Sequence, residues 1–104
     1  MPKILMEFSI YPVDQGASLS AYVARAVDLV DQSGLPYRMG PMGTTVEGEY
    51  EECMALVQRC FHALSQDSDR VILQVKVDYR RGRDGALQSK TKAVEGHLGR
   101  KLCT

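Results

Sequence analysis

The stretch Pro41-Met42-Gly43-Thr44-Thr45-Val46-Glu47-Gly48 joins a chain reversal to a run of β-forming residues. Gly43 permits a tight turn. Thr44 to Glu47 has the composition of a pleated, half-buried strand, and Gly48 is expected to break it. On the other side of the turn, Tyr37 to Gly40 lies between Pro36 and Pro41. That setting suits an edge strand, because proline cannot donate to a ladder. The segment therefore reads as a hairpin of two strands.

Outward from the hairpin, the hydrophobic period changes twice toward the N-terminus and three times toward the C-terminus. Ile4, Met6, Phe8 and Ile10 alternate with Leu5, Glu7, Ser9 and Tyr11, a strand with one buried face that Pro12 is expected to stop. Val13 to Ala17 reads as a loop, and Ser18 or Ser20 can cap the next element. Leu19, Tyr22, Val23, Ala26 and Val30 recur at helical spacing, with Arg25, Asp28 and Asp31 outward and Gly34 as the stop. After the hairpin, Glu49, Glu51 and Glu52 gather where a helix dipole favours negative charge. The apolar face of that helix reads as Tyr50, Cys53, Met54, Val57, Phe61 and Leu64, with Cys60 beside it. Val71 to Arg80 alternates again, placing Val71, Leu73, Val75, Val77 and Tyr79 on one face. From Ala86 the tail is weakly helical, and Gly96 and Gly99 weaken it by roughly 1 kcal/mol each relative to alanine. The order strand, helix, strand, strand, helix, strand, helix predicts an α+β fold. It is a ferredoxin-like βαββαβ sandwich with an additional C-terminal helix, formed by residues 1–104 as one domain.

Composition narrows the function. The 104 residues include 13 basic and 13 acidic side chains, so the formal net charge is zero. Nucleic-acid binding, which needs a basic excess or stripe, is not expected. No stretch has the apolar length of a membrane span. Met1-Pro2-Lys3-Ile4-Leu5-Met6-Glu7 reaches a carboxylate too early for a signal peptide, so a cytoplasmic protein is expected. Three cysteines, Cys53, Cys60 and Cys103, do not form a disulfide framework. With His62 and His97 they offer no recognised zinc spacing, so neither metal nor cofactor is expected.

The alternation also sorts side chains by face. In this fold the first and third strands are central neighbours, so Glu7, Ser9, Thr45 and Glu47 are expected on the face turned away from the helices, with Tyr11 at its end. Two readings stand: a solvated or subunit-covered sheet face, and a polar floor for a small ligand. Two carboxylates there favour a cationic or amine-bearing ligand, and the hydroxyls of Ser9, Tyr11, Thr44 and Thr45 add directional donors and acceptors. Catalysis is not expected. The layout gives no nucleophile–base pair, and the absence of asparagine removes acylphosphatase-type chemistry in its usual form. Gly40-Pro41-Met42-Gly43 matches the GXXG pattern of KH domains, but here it joins strands rather than helices. Arg80-Arg81-Gly82-Arg83 reads as a solvated basic turn, with an anion contact as the sharper alternative.

Phe8-Ser9-Ile10-Tyr11-Pro12, Ser33-Gly34-Leu35-Pro36-Tyr37 and Pro41 to Glu49 together resemble the thiamine-binding protein family. Met42-Gly43-Thr44 followed by Glu47-Gly48 is the most specific part. Lys76-Val77-Asp78-Tyr79-Arg80 fits the family's closing strand, whereas Gly96 and Gly99 interrupt a segment that is usually more helical. The resemblance implies a non-enzymatic protein that binds thiamine or a related pyrimidine as a homo-oligomer, dimer or tetramer. Carried over by position, it implies Ser9, Pro12, Met42, Gly43, Thr44 and Glu47 as ligand-binding residues. The face argument adds Tyr11 and Thr45 and independently supports Ser9 and Glu47. Glu47 is the expected polar anchor, with Tyr11 or Tyr37 to stack on a ring. The alternative is an oligomeric regulatory or interaction module without a dedicated ligand.

Overall fold

A computed structural model describes residues 3–16 and 19–104. The Ile4-to-Ile10 alternation forms β1, Lys3–Pro12, whose even-numbered residues are buried. There follow α1 (Ser20–Gln32), β2 (Tyr37–Met39), β3 (Thr44–Glu49), α2 (Tyr50–Ser65), β4 (Val71–Tyr79) and α3 (Ala86–Leu98). The four strands form one antiparallel sheet in the order β2-β3-β1-β4. This is the expected ferredoxin-like arrangement with its extra C-terminal helix.

The core lies between the sheet and α1 and α2. Met6 and Val46 from the sheet meet Val30, Leu56 and Leu64 from the helices, all fully buried. Each such side chain contributes about 1.5–3 kcal/mol on leaving water. Arg25 ties the two helices together. Its Nη1 donates to Asp67 Oδ2 at 2.6 Å and its Nη2 to the Ala63 carbonyl at 2.5 Å. Glu52 accepts from the Glu49 N–H at 3.1 Å and so closes the start of α2.

Several boundaries differ from the sequence reading. Gly48 does not break β3; it is buried there opposite Ile4. A Cβ at Gly48 would stand 3.1 Å from Leu35 Cδ2, so close packing explains the glycine. Pro12 is the last residue of β1 rather than the first beyond it, opposite Val71. Gly40 and Arg80 fall just outside their strands. Leu19 occupies the cap position of α1 with no side-chain cap bond, and Ser20 is the first helical residue. The Ser18 alternative and Ala17 lie outside the described residues. The buried face of α2 is Cys53, Leu56, Val57, Cys60 and Leu64, while Tyr50 and Phe61 flank it in solvent.

β4 shows the largest departure. Leu73, Val75, Val77 and Tyr79 point to the helix side, yet they are 36–51% exposed. α1 and α2 lie mainly over β1 and β3 and stop short of this edge strand. The opposite side of the sheet is also only partly covered. There α3 begins against β3, but Ala86 is its one buried residue among those described. The helix projects from the body, which contributes to extents of 46 × 32 × 20 Å. Gly99, at φ +70°, ends it in the left-handed conformation that favours glycine.

Candidate functional site

β1 is longer than β3, and this mismatch makes a gap. Their pairing ends at Phe8 opposite Thr44, while β1 continues to Pro12 beside β4 alone. The β2–β3 hairpin bends over the gap. Its connection is tight: the Gly40 N–H donates to the Gly43 carbonyl at 2.8 Å across Pro41 and Met42. Gly43 is not in the left-handed region. It is glycine for another reason. A Cβ there would lie 3.3 Å from the Phe8 carbonyl oxygen and 3.5 Å from Glu7 Cγ. The turn rests directly on β1, with Met42 at its tip almost fully exposed.

Between the turn, the end of β1 and α1 lies a cleft of about 400 Å³. Phe8, Ile10, Val23, Ala26, Val27 and Met39 give it an apolar wall. Ser9, Tyr11, Thr44 and Gln74 are the lining residues with polar side chains. No Asp, Glu, Lys or Arg lines it among the described residues. A second cavity of about 330 Å³ adjoins it, sharing Ser9, Met42, Gly43 and Gln74 and adding Glu7 and Lys76. Glu7 and Lys76 are directly opposite across the β1–β4 pair, with Lys76 Nζ 3.8 Å from Glu7 Oε1. A third cavity, of about 430 Å³, lies further along that face and includes Thr45, Asp78 and Lys90.

The structure thus gathers five of the eight sequence-derived residues, Ser9, Tyr11, Met42, Gly43 and Thr44, around one cleft. Thr45 lies on the open face opposite Glu7 and Arg38. Pro12 is fully buried and does not line the cleft. Glu47 is opposite Leu5, four residues and about 13 Å of strand from Ser9. It is 8% exposed, and its Oε2 accepts from the Ala86 N–H at 2.6 Å. Its carboxylate therefore caps the start of α3, where Gly85 offers no side chain to do so. Tyr37, the other stacking candidate, donates its hydroxyl to Asp31 at 2.8 Å, which raises its pKa above the usual tyrosine value.

Sequence reasoning does not reach Val27, Met39 or Gln74 as site residues. Val23 and Ala26 enter it only as core positions of a helix. The alternation of β4 does put Gln74 on the face of Ser9, its partner across the pair, but no local signal marks Val27 or Met39, because the cleft arises from the hairpin arching toward α1. The remaining chemical groups are occupied elsewhere. Burial pushes the Cys53 and Cys60 thiols up to about 11. Lys90 and Arg83 both bind Asp78 and hold its carboxyl below the ordinary value. Arg80 and Arg81 are exposed in the turn. Among the described residues no cluster of His, Cys, Asp and Glu could hold a metal ion, and no helix is long and apolar enough to cross a membrane.

Fold and cleft define the class: a small ferredoxin-like α+β domain with a ligand-sized cleft at one end of its sheet. The chain belongs to the thiamine-binding protein family, which matches residues 6–95. A UPF0045 protein of Methanocaldococcus jannaschii is 32% identical over 94 residues, covering 90% of this chain and 94% of its own. Its crystal structure superposes with a TM-score of 0.84 over 90% of this chain and 97% of that one. A UPF0045 protein of Mycobacterium tuberculosis is 37% identical over 96 residues, covering 91% and 94%. A proposed thiamine biosynthesis or salvage protein of Thermotoga maritima, 32% identical, has a TM-score of 0.77 over 88% of this chain and 99% of its own.

Proposed function

We propose that this chain binds thiamine or a related aminopyrimidine in the cleft beneath the hairpin, as a non-enzymatic carrier, buffer or sensor. The observation that carries this reading is the cleft itself. It is apolar, has a volume within the range of small-molecule sites, and is closed by Met42-Gly43-Thr44, the residues with the most specific family resemblance. A flat ring would fit between the Val23–Val27 face of α1 and the end of β1. Ser9, Thr44 and Gln74 would meet its nitrogen groups, and Tyr11 would stack at the mouth.

Calorimetric titration with thiamine tests this. Wild type should bind, and Ser9→Ala and Thr44→Val should each weaken binding by about tenfold, the scale of one hydrogen bond. Absence of binding to wild type by thiamine and by its free pyrimidine would refute the proposal.

The bare strip on β4 supports association into a dimer or tetramer. Leu73, Val75, Val77 and Tyr79 expose apolar surface beside an unpaired strand edge, a combination that favours pairing with another chain. Light scattering at micromolar concentration should give a mass above one chain; a monomer would count against this part.

A further inference from the structure

The cleft and its neighbour form a site with two compartments. The first has no charged residue among its described lining. The second contains one acid and one base. They border the same residues, Phe8, Ser9, Met42, Gly43 and Gln74, so the two lie side by side at the end of β1. In the second compartment Glu7 lies against the hairpin turn: a Cβ on Gly43 would be only 3.7 Å from its Cδ. Lys76 is farther out. Its side chain is 82% exposed, and the ammonium stands 3.8 Å from Glu7, a loose pair free to accept another anion. From the apolar compartment outward, the environment changes from neutral to negative to positive.

This sequence of environments has a chemical complement. Resting on the thiamine-class reading above, we infer that the preferred ligand is zwitterionic: a cationic aromatic ring carrying a phosphate ester. The neutral ring would fill the apolar compartment. The cationic ring would lie near Glu7, and the phosphate would reach the Lys76 ammonium. An ammonium is a compact point charge on a flexible stem, suited to a terminal phosphate. A ligand lacking the phosphate would leave Lys76 paired only with Glu7.

Calorimetry at low ionic strength with thiamine and thiamine monophosphate decides the matter. Wild type should prefer the monophosphate by about fivefold, the scale of an exposed ion pair, and added salt should shrink the preference. Lys76→Met should bring the ratio of the two affinities close to one, and Lys76→Arg should restore it. The ratio is the readout, so a general change in affinity or folding does not imitate the effect. Equal affinities in wild type, or a preference that survives Lys76→Met, would overturn the inference while leaving thiamine-class binding intact. Failure of both compounds to bind wild type would overturn the inference together with the proposal beneath it.

Discussion

Replacing Glu47 separates a ligand anchor from a helix cap. In the structure its buried carboxylate accepts from the Ala86 N–H at 2.6 Å, at the positive end of α3. Little else holds that helix to the body: Ala86 is its one buried residue among those described, and Lys90 reaches Asp78 at the surface. A hydrogen bond to a charged group contributes about 1.5–3 kcal/mol, and loss of a helix cap costs about 0.5–2 kcal/mol. Glu47→Ala should therefore destabilise the docked α3 by about 2 kcal/mol. At 1.4 kcal/mol per tenfold, its opening equilibrium shifts by roughly 30-fold. Glu47→Gln keeps an acceptor but loses the charge, so its effect should be several times smaller. Hydrogen exchange followed by mass spectrometry gives the test. Peptides covering 86–98 should exchange faster by about that factor in Glu47→Ala, while β1 peptides change little, because local opening spares the core. Unchanged α3 protection would refute the capping role. Lost thiamine affinity with α3 intact would restore Glu47 as the ligand's anchor.

Other consequences are equally open to measurement. Gly43→Ala must place a methyl group against the Phe8 carbonyl; it should cost about 1 kcal/mol, lower Tm by roughly 4–8 °C, and weaken thiamine binding as the turn lifts from β1. Asp78 has its pKa lowered by Lys90 and Arg83, so its contribution is present above the ordinary value of 3.8 and is lost as pH falls below it; α3 amides should lose protection in acid before those of β1. The Cys53 and Cys60 thiols have raised pKa values, so the folded state holds their protons more tightly than the unfolded chain; stability should fall as pH rises from 9 toward 11, as a denaturant midpoint would report. In the native protein a thiol reagent at pH 8 should label Cys103 alone, and denaturation should expose all three. Val75→Glu on the bare strip of β4 should shift the scattering mass toward a single chain without altering the fold, which far-UV circular dichroism would check.

The strand and helix order was legible because each element repeats its own period. Ile4 to Ile10 alternate under one side of the sheet, and the acidic start of α2 marks its first turn. What the periods do not encode is coverage. Val75 and Val77 have the pattern of buried strand residues, but whether a helix lies above them depends on where α2 crosses the sheet. The site shows the same limit. Ser9 and Tyr11 could be placed by face, whereas Thr44 is out of phase with them, opposite Phe8, and is reached only through the family resemblance; the cleft also needs Val27 and Met39, which meet only after the hairpin arches toward α1. Glu47 illustrates the opposite case. Its face is as the alternation predicts, but a tail that reads as weakly helical returns to cover it. Gly43 and Gly48 have the pattern of a turn former and a strand breaker, but close contacts with distant chain, at Phe8 and Leu35, are what require them.

The mismatch in length between β1 and β3 also divides labour along the gene. Among the described residues, every wall of the apolar cleft except Gln74 comes from positions 8–44. The polar compartment draws Gln74, Val75 and Lys76 from β4, the strand that also carries the bare strip. On the function proposed above, sequence change in the first half would alter which ring is held. On the same reading, change in β4 would alter which substituent is tolerated and how chains associate, because successive residues of that strand face opposite sides. Side chains at 74 and 76 and those at 73 and 77 stand on opposite faces, while Val75 borders both the polar compartment and the bare strip.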